Sequence, residues 1–132
     1  MSPAGRGVLL DTSVVIDHFR GDPRIHYELE STAALYIPTI VLGELYYGAF
    51  RSAYREKQLE QVRRFLRAAA VVGTDAQTSE TYGRIRSELA EAGRPIPEND
   101  IWIAAVALQH RWPLATRDQH FGRITGLEVL SW

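Results

Sequence analysis

Val8-Leu9-Leu10-Asp11-Thr12-Ser13-Val14-Val15-Ile16-Asp17 sets an apolar run, a carboxylate and an amphipathic stretch in immediate succession. Val8 to Leu10 reads as a buried strand. Thr12 or Ser13 can cap a helix carrying Val14, Val15, Ile16 and Phe19, and Gly21-Asp22-Pro23 stops it. A strand running directly into a helix is the opening expected of an α/β sheet, and the rest of the chain repeats the pattern.

Ile25 to Glu30 can form a second helix, and Leu35-Tyr36-Ile37 a second strand ended by Pro38. Thr39 begins a helix through Gly48, followed by an arginine-rich helix from about Ala53 to Ala69. In the latter, Leu59, Val62, Phe65, Leu66 and Ala69 recur at threes and fours, so one face is buried. Val71-Val72 is the third strand. Asp75 can cap a helix bearing Tyr82, Ile85, Leu89 and Ala92, which ends at Gly93. Gly93-Arg94-Pro95-Ile96-Pro97 turns into a helix from Asn99 to His110, and Leu114 to Thr116 and Glu128 to Leu130 complete four to five short strands. Strands alternating with helices predict a mostly parallel central sheet covered on both faces, a three-layer α/β/α fold.

At 132 residues with 45% hydrophobic content the chain is read as one domain over residues 8–132. Residues 1–7 read as a flexible leader: they carry one positive charge and no apolar segment, which excludes a secretory signal. No apolar stretch is long enough for a membrane span. With no cysteine there is neither a disulfide framework nor a thiolate zinc site, and a cytoplasmic location is expected. Net charge is −1, against a simple nucleic-acid coat protein. Lys57 is the sole lysine among 15 cations, and arginine suits phosphate recognition through its planar fork.

Four carboxylates stand out. Asp11 closes Val8-Leu9-Leu10, Glu44 interrupts Ile40-Val41-Leu42-Gly43-Glu44-Leu45-Tyr46-Tyr47, Asp100 opens Ile101-Trp102-Ile103-Ala104-Ala105-Val106-Ala107-Leu108, and Asp118 follows Leu114-Ala115-Thr116. Each has a plain alternative: Asp11 as a helix cap, Asp100 as first-turn decoration favoured by the helix dipole, Asp118 as a turn residue. Glu44, mid-helix among apolar neighbours, is hardest to explain that way. A buried carboxylate either neutralises or holds a cation. Asp11 and Asp118 both follow strands, and parallel sheets bind ligands at the carboxyl ends of their strands. Four converging acids would form a site for a hard divalent metal, magnesium with manganese as substitute.

Competing acidic chemistries fail on residue type. A haloacid-dehalogenase-like phosphatase needs a second Asp where Ser13 stands, and a receiver domain needs a lysine after its last strand, whereas Lys57 lies in a helix. There is no P-loop, G-x-G-x-x-G, G-x-S-x-G or H-E-x-x-H. His18, His26, His110 and His120 lack zinc-ligand spacing, and His120 is read as a packing or hydrogen-bonding residue.

The opening stretch, with Glu44-Leu45-Tyr46-Tyr47-Gly48, Pro97-Glu98-Asn99-Asp100-Ile101-Trp102-Ile103-Ala104-Ala105 and Thr116-Arg117-Asp118, resembles PIN-domain ribonucleases, in order and from Val8 to Trp132. The resemblance is greatest to the VapC toxins of type II toxin–antitoxin pairs. It implies a Mg2+-dependent endoribonuclease whose Asp11, Glu44, Asp100 and Asp118 form the metal pocket; within it Asp11 and Asp100 are expected as primary ligands, with Glu44 and Asp118 acting through metal-bound water or a second ion. It also implies that Thr12 or Ser13 and Thr116 order the site, and that the products carry a 5′-phosphate and a 3′-hydroxyl. The implied partners are a VapB-type antitoxin, RNA and a second copy in a homodimer, or a larger toxin–antitoxin complex. Tyr46, Tyr47, Phe50 and Tyr54 would meet the antitoxin. Arg63, Arg64, Arg67, Arg84 and Arg86 could track a phosphate backbone, or simply be solvated. The alternatives are a PIN-like nuclease in RNA processing or repair without an antitoxin, and a non-catalytic α/β RNA-binding module.

Overall fold

The computed structural model describes residues 7–132, so the leader expected over 1–7 lies outside them except for Gly7. The elements run β1 (Gly7–Leu10), α1 (Thr12–Phe19), α2 (Pro23–Glu30), β2 (Ala34–Pro38), α3 (Thr39–Arg51), α4 (Arg55–Phe65), β3 (Ala69–Val72), α5 (Ala76–Glu91), α6 (Glu98–His110), β4 (Leu114–Thr116), a 3-10 turn (Gln119–Arg123) and β5 (Val129–Ser131). The strands form one sheet in the order β3-β2-β1-β4-β5, with every pairing parallel.

That order fixes where a ligand can enter. The chain steps from β1 to β2 to β3 on one side, then crosses to place β4 and β5 on the other. The connections leaving β1 and β4 therefore diverge, and a crevice opens at the carboxyl ends of those two strands. Val8, Leu9 and Leu10 are consecutive and all buried, as are Leu114, Ala115 and Thr116. Since successive strand residues face opposite sides, burial of every one means that both faces of the sheet are covered. This is the expected α/β/α arrangement.

Helix α6 explains much of the core. Ile101 and Ile103 to Ala107 are all buried, so it is apolar nearly all round and lies inside rather than on the surface. Its last turn closes with Arg111 at φ 57°, the left-handed conformation common at helix ends but uncommon for a residue with a Cβ. At the start of α5, Asp75 accepts from the Thr78 amide and the Thr78 hydroxyl accepts from the Asp75 amide, a reciprocal cap.

Several boundaries differ from the sequence expectation, each for an identifiable reason. Gly7 belongs to β1, not to a leader, and pairs with Ala34. A Cβ there would lie 2.1 Å from the Tyr36 ring, so only glycine lets the strand start against that aromatic. α3 continues past Gly48 because Ala49 extends the buried stripe of Val41 and Leu45. Ala69 starts β3 instead of ending α4, since it pairs with Leu35, and four consecutive β2–β3 pairs outweigh helical periodicity. α2 starts at Pro23, whose ring suits the first helical position, with Asp22 accepting from the Arg24 and Ile25 amides.

Candidate metal centre

Each of the four acids arrives at the crevice by a different local route. Asp11 follows β1 and occupies the capping position of α1, yet its side chain makes no cap hydrogen bond. Its Oδ2 instead accepts from Thr116 Oγ1 at 2.7 Å and Ser13 Oγ at 2.9 Å. The simple capping role is therefore not realised, and the carboxylate, 2% exposed, is fixed by one hydroxyl from α1 and one from β4. Asp118 likewise precedes a turn without capping it. Its amide donates to Thr116 Oγ1 at 3.0 Å, so that one hydroxyl ties Asp11 to the Asp118 turn.

Glu44 projects from the middle of α3, where Thr12 Oγ1 donates to its Oε1 at 3.2 Å. Asp100 lies in the first turn of α6, and its Oδ2 is 2.6 Å from His120 Nε2. A carboxylate oxygen only accepts, so the imidazole nitrogen is the donor to ionised Asp100. His120 sits on the 3-10 turn after Asp118, an element absent from the sequence reading. His120 takes the hydrogen-bonding role expected of it, and what the sequence did not reveal is that its partner is Asp100.

All four acids line one open cavity of about 440 Å³, together with Thr12, Ser13, Pro97, Glu98 and Asn99. Ligating atoms of Asp100, Asp118 and His120 lie within 4.8 Å of one another. Asp11 and Glu44 line the same cavity but do not join that tightest group. Burial pushes the Glu44 carboxyl above its ordinary range, against the Thr12 hydrogen bond, and the charges of Asp100 and Asp11 push it further. Asp100 is raised too, again mainly by burial, with the Asp11 and Asp118 charges adding to it and His120 opposing. Half-buried acids that repel one another are costly to ionise together, and a cation among them relieves that cost.

The donor set is oxygen-rich, with one imidazole, and contains no sulfur. Such a set suits a hard divalent ion. Asp100, Asp118 and Asp11 fit as holders, with His120 orienting Asp100 as outer residues orient metal ligands.

The chain is similar to known proteins along nearly its whole length. Residues 8–127 match the family model of the PIN domain. The chain belongs to the PIN-domain family. It is 33% identical over 128 residues to the tRNA(fMet)-specific endonuclease VapC of Salmonella typhimurium, covering 94% of this chain and 96% of that protein. It is 29% identical over 127 residues to Ribonuclease VapC2 of Haemophilus influenzae, with the same coverage. The crystal structure of VapBC2 from Rickettsia felis, bound to a DNA fragment from its promoter, superposes with a TM-score of 0.92 at 28% identity, over 96% of this chain and 99% of that one.

The other sequence-singled residues separate clearly. Tyr47, Phe50 and Tyr54 are exposed at the end of α3 and the following turn, whereas Tyr46 packs against the core. Arg84 pairs with Glu88 on its own helix. Arg86 donates to the Tyr82 hydroxyl, which donates to Glu98 on the cavity rim. Glu98 and Asn99 both face the cavity. A separate space of about 490 Å³, lined by His18, Phe19, His26 and Phe65 among others, lies away from the acids. His18 Nδ1 is buried there with no hydrogen-bond partner among the described residues.

Proposed function

We propose that this protein is a VapC-type toxin, a divalent-metal-dependent endoribonuclease that hydrolyses RNA phosphodiester bonds and is held inactive by a VapB-type antitoxin. The observation that carries it is the convergence of Asp11, Glu44, Asp100 and Asp118 on one cavity at the switch point of a parallel sheet, in a chain of the PIN family. Magnesium is the expected ion, with manganese as substitute, since both take oxygen ligands.

Asp11, Asp100 and Asp118 would hold the ion, which when bound neutralises the phosphodiester and activates water. Ser13 and Thr116 keep the Asp11 carboxylate aimed into the cavity, and His120 does so for Asp100. Glu44, held by the Thr12 hydroxyl, would take the proton that the attacking water gives up. Asn99 and Glu98 bound the entry side, where the Arg86–Tyr82–Glu98 chain brings a cation to the rim.

An antitoxin segment has a surface to occupy. A groove of about 270 Å³ between α1, α3 and α4 has an apolar floor of Ile16, Phe19, Leu45, Ala49 and Val62, with Arg20, Glu44, Gln58 and Gln61 also lining it. A chain seated there would pass Glu44, which lines both this groove and the acidic cavity, coupling recognition to inhibition. The exposed Tyr47, Phe50 and Tyr54 would serve a further antitoxin contact or a homodimer contact within a larger toxin–antitoxin complex. No helix among the described residues is long and apolar enough to cross a membrane, and a cytoplasmic site of action fits an RNA substrate.

The test is cleavage of total cellular RNA by protein freed of antitoxin. Cleavage that requires Mg2+ or Mn2+, stops with chelator and is absent in Asp100→Asn supports the reading. Cleavage indifferent to chelator overturns it.

A further inference from the structure

Between Thr116 and Asp118 stands Arg117, whose side chain leaves the acidic cavity and faces the adjoining surface. Its guanidinium Nη1 lies 3.0 Å from Asp17 Oδ2 and 2.9 Å from Asp22 Oδ2, and its Nε donates to the Trp132 carbonyl at 3.0 Å. Its backbone amide donates to Ser13 Oγ at 3.2 Å. One residue of the β4 turn is thereby tied to α1, to the cap of α2 and to the chain beyond β5.

These ties continue into the cavity. Ser13, which accepts from the Arg117 amide, donates to Asp11. Thr116, the preceding residue, donates to Asp11 and accepts from the Asp118 amide. Asp17 lies on the same helix as Thr12 and Ser13, so its pairing with Arg117 fixes that helix against the turn carrying Asp118. Arg117 also neutralises two carboxylates that would otherwise add negative charge beside an already acidic cavity.

We propose that Arg117 is a positioning residue for the metal pocket, holding the Thr116–Asp118 turn and α1 in the one relation that aims Asp11 and Asp118 at a shared ion. The inference rests on the divalent-metal reading of the pocket. It assigns Arg117 no contact with substrate. Lysine cannot reproduce the role, because a single ammonium lacks the planar fork that reaches two carboxylates and a carbonyl at once.

Calorimetric titration of the full chain with Mn2+, well below its melting temperature, tests it. Residues that orient ligands typically contribute about 10- to 100-fold to metal affinity. Arg117→Ala should weaken Mn2+ binding by roughly 10-fold or more, and Arg117→Lys should restore only part of it. Asp75→Ala serves as control, because it removes the α5 cap at the other end of α6 from Asp100 and lowers stability without touching the pocket. Unchanged Mn2+ affinity in Arg117→Ala overturns the proposal alone, as does an equal loss in Asp75→Ala. Absence of Mn2+ binding by the wild type overturns the metal reading itself and this proposal with it.

Discussion

The two ends of the central strands obey different physics. At the amino edge β1 begins at Gly7 beneath the Tyr36 ring, which stacks on Trp112 at 3.8 Å, and Trp112 in turn stacks on His110 at 4.4 Å. At the carboxyl edge the same sheet ends in Asp11, Thr116 and Asp118, with Glu44 and Asp100 brought in from α3 and α6. The first edge is a packing solution, in which stacked rings close the sheet. The second is a standing conflict among carboxylates, two of them raised in proton affinity chiefly by burial. Stability and function are therefore separable along a strand only four residues long, and substitutions at its two ends should have opposite signatures.

The largest expected effect is at the acidic edge. Asp11→Asn or Asp100→Asn should lower RNA cleavage by roughly 100-fold or more, the scale of removing one electrostatic group from an active site, while circular dichroism stays unchanged. At the aromatic edge Gly7→Ala should do the reverse. Overpacking against Tyr36 should destabilise the fold by roughly 1–3 kcal/mol in denaturant titration, with metal affinity retained in the folded fraction. Next, His120→Ala should weaken metal binding by about 10-fold, since Asp100 loses its only side-chain donor among the described residues.

The smallest effect concerns pH. Glu44 and Asp100 bind protons more tightly folded than unfolded. Their contribution to stability is thus greatest below the ordinary carboxylate range and is lost as pH rises through the elevated values. Metal-free Glu44→Gln should melt a few degrees above wild type at neutral pH, and the gap should close on acidification. Affinity for Mn2+ should fall over the same acidic range, because protons compete for the same oxygens. A Glu44→Gln variant that melts below wild type at neutral pH would show that its charge is already compensated in the metal-free protein.

What the sequence made readable follows from distance along the chain. Asp11 and Asp118 could be placed together because each follows a strand, and the parallel-sheet rule puts strand ends on one edge. Glu44 was conspicuous because a charge interrupts an apolar helix. Hidden features were those whose partners lie far away. Arg117 meets Asp17, Asp22 and Trp132, and nothing in Thr116-Arg117-Asp118 points to them. His120 acquires its role from Asp100 twenty residues earlier, through a 3-10 turn with no clear periodic signature. Ala69 looked helical because its spacing fits α4, until pairing with Leu35 claimed it for β3. Tyr46 and Tyr47 are adjacent in sequence yet part company, one against the core and one to solvent, as helical rotation requires.

Anomalous X-ray diffraction from crystals grown with Mn2+ tests the central claim most directly. An anomalous peak enclosed by the carboxylates of Asp11, Asp100 and Asp118, and lost in Asp100→Asn crystals, is the predicted result. At saturating Mn2+, an empty acidic cavity, or a peak held only elsewhere on the surface, would contradict the account.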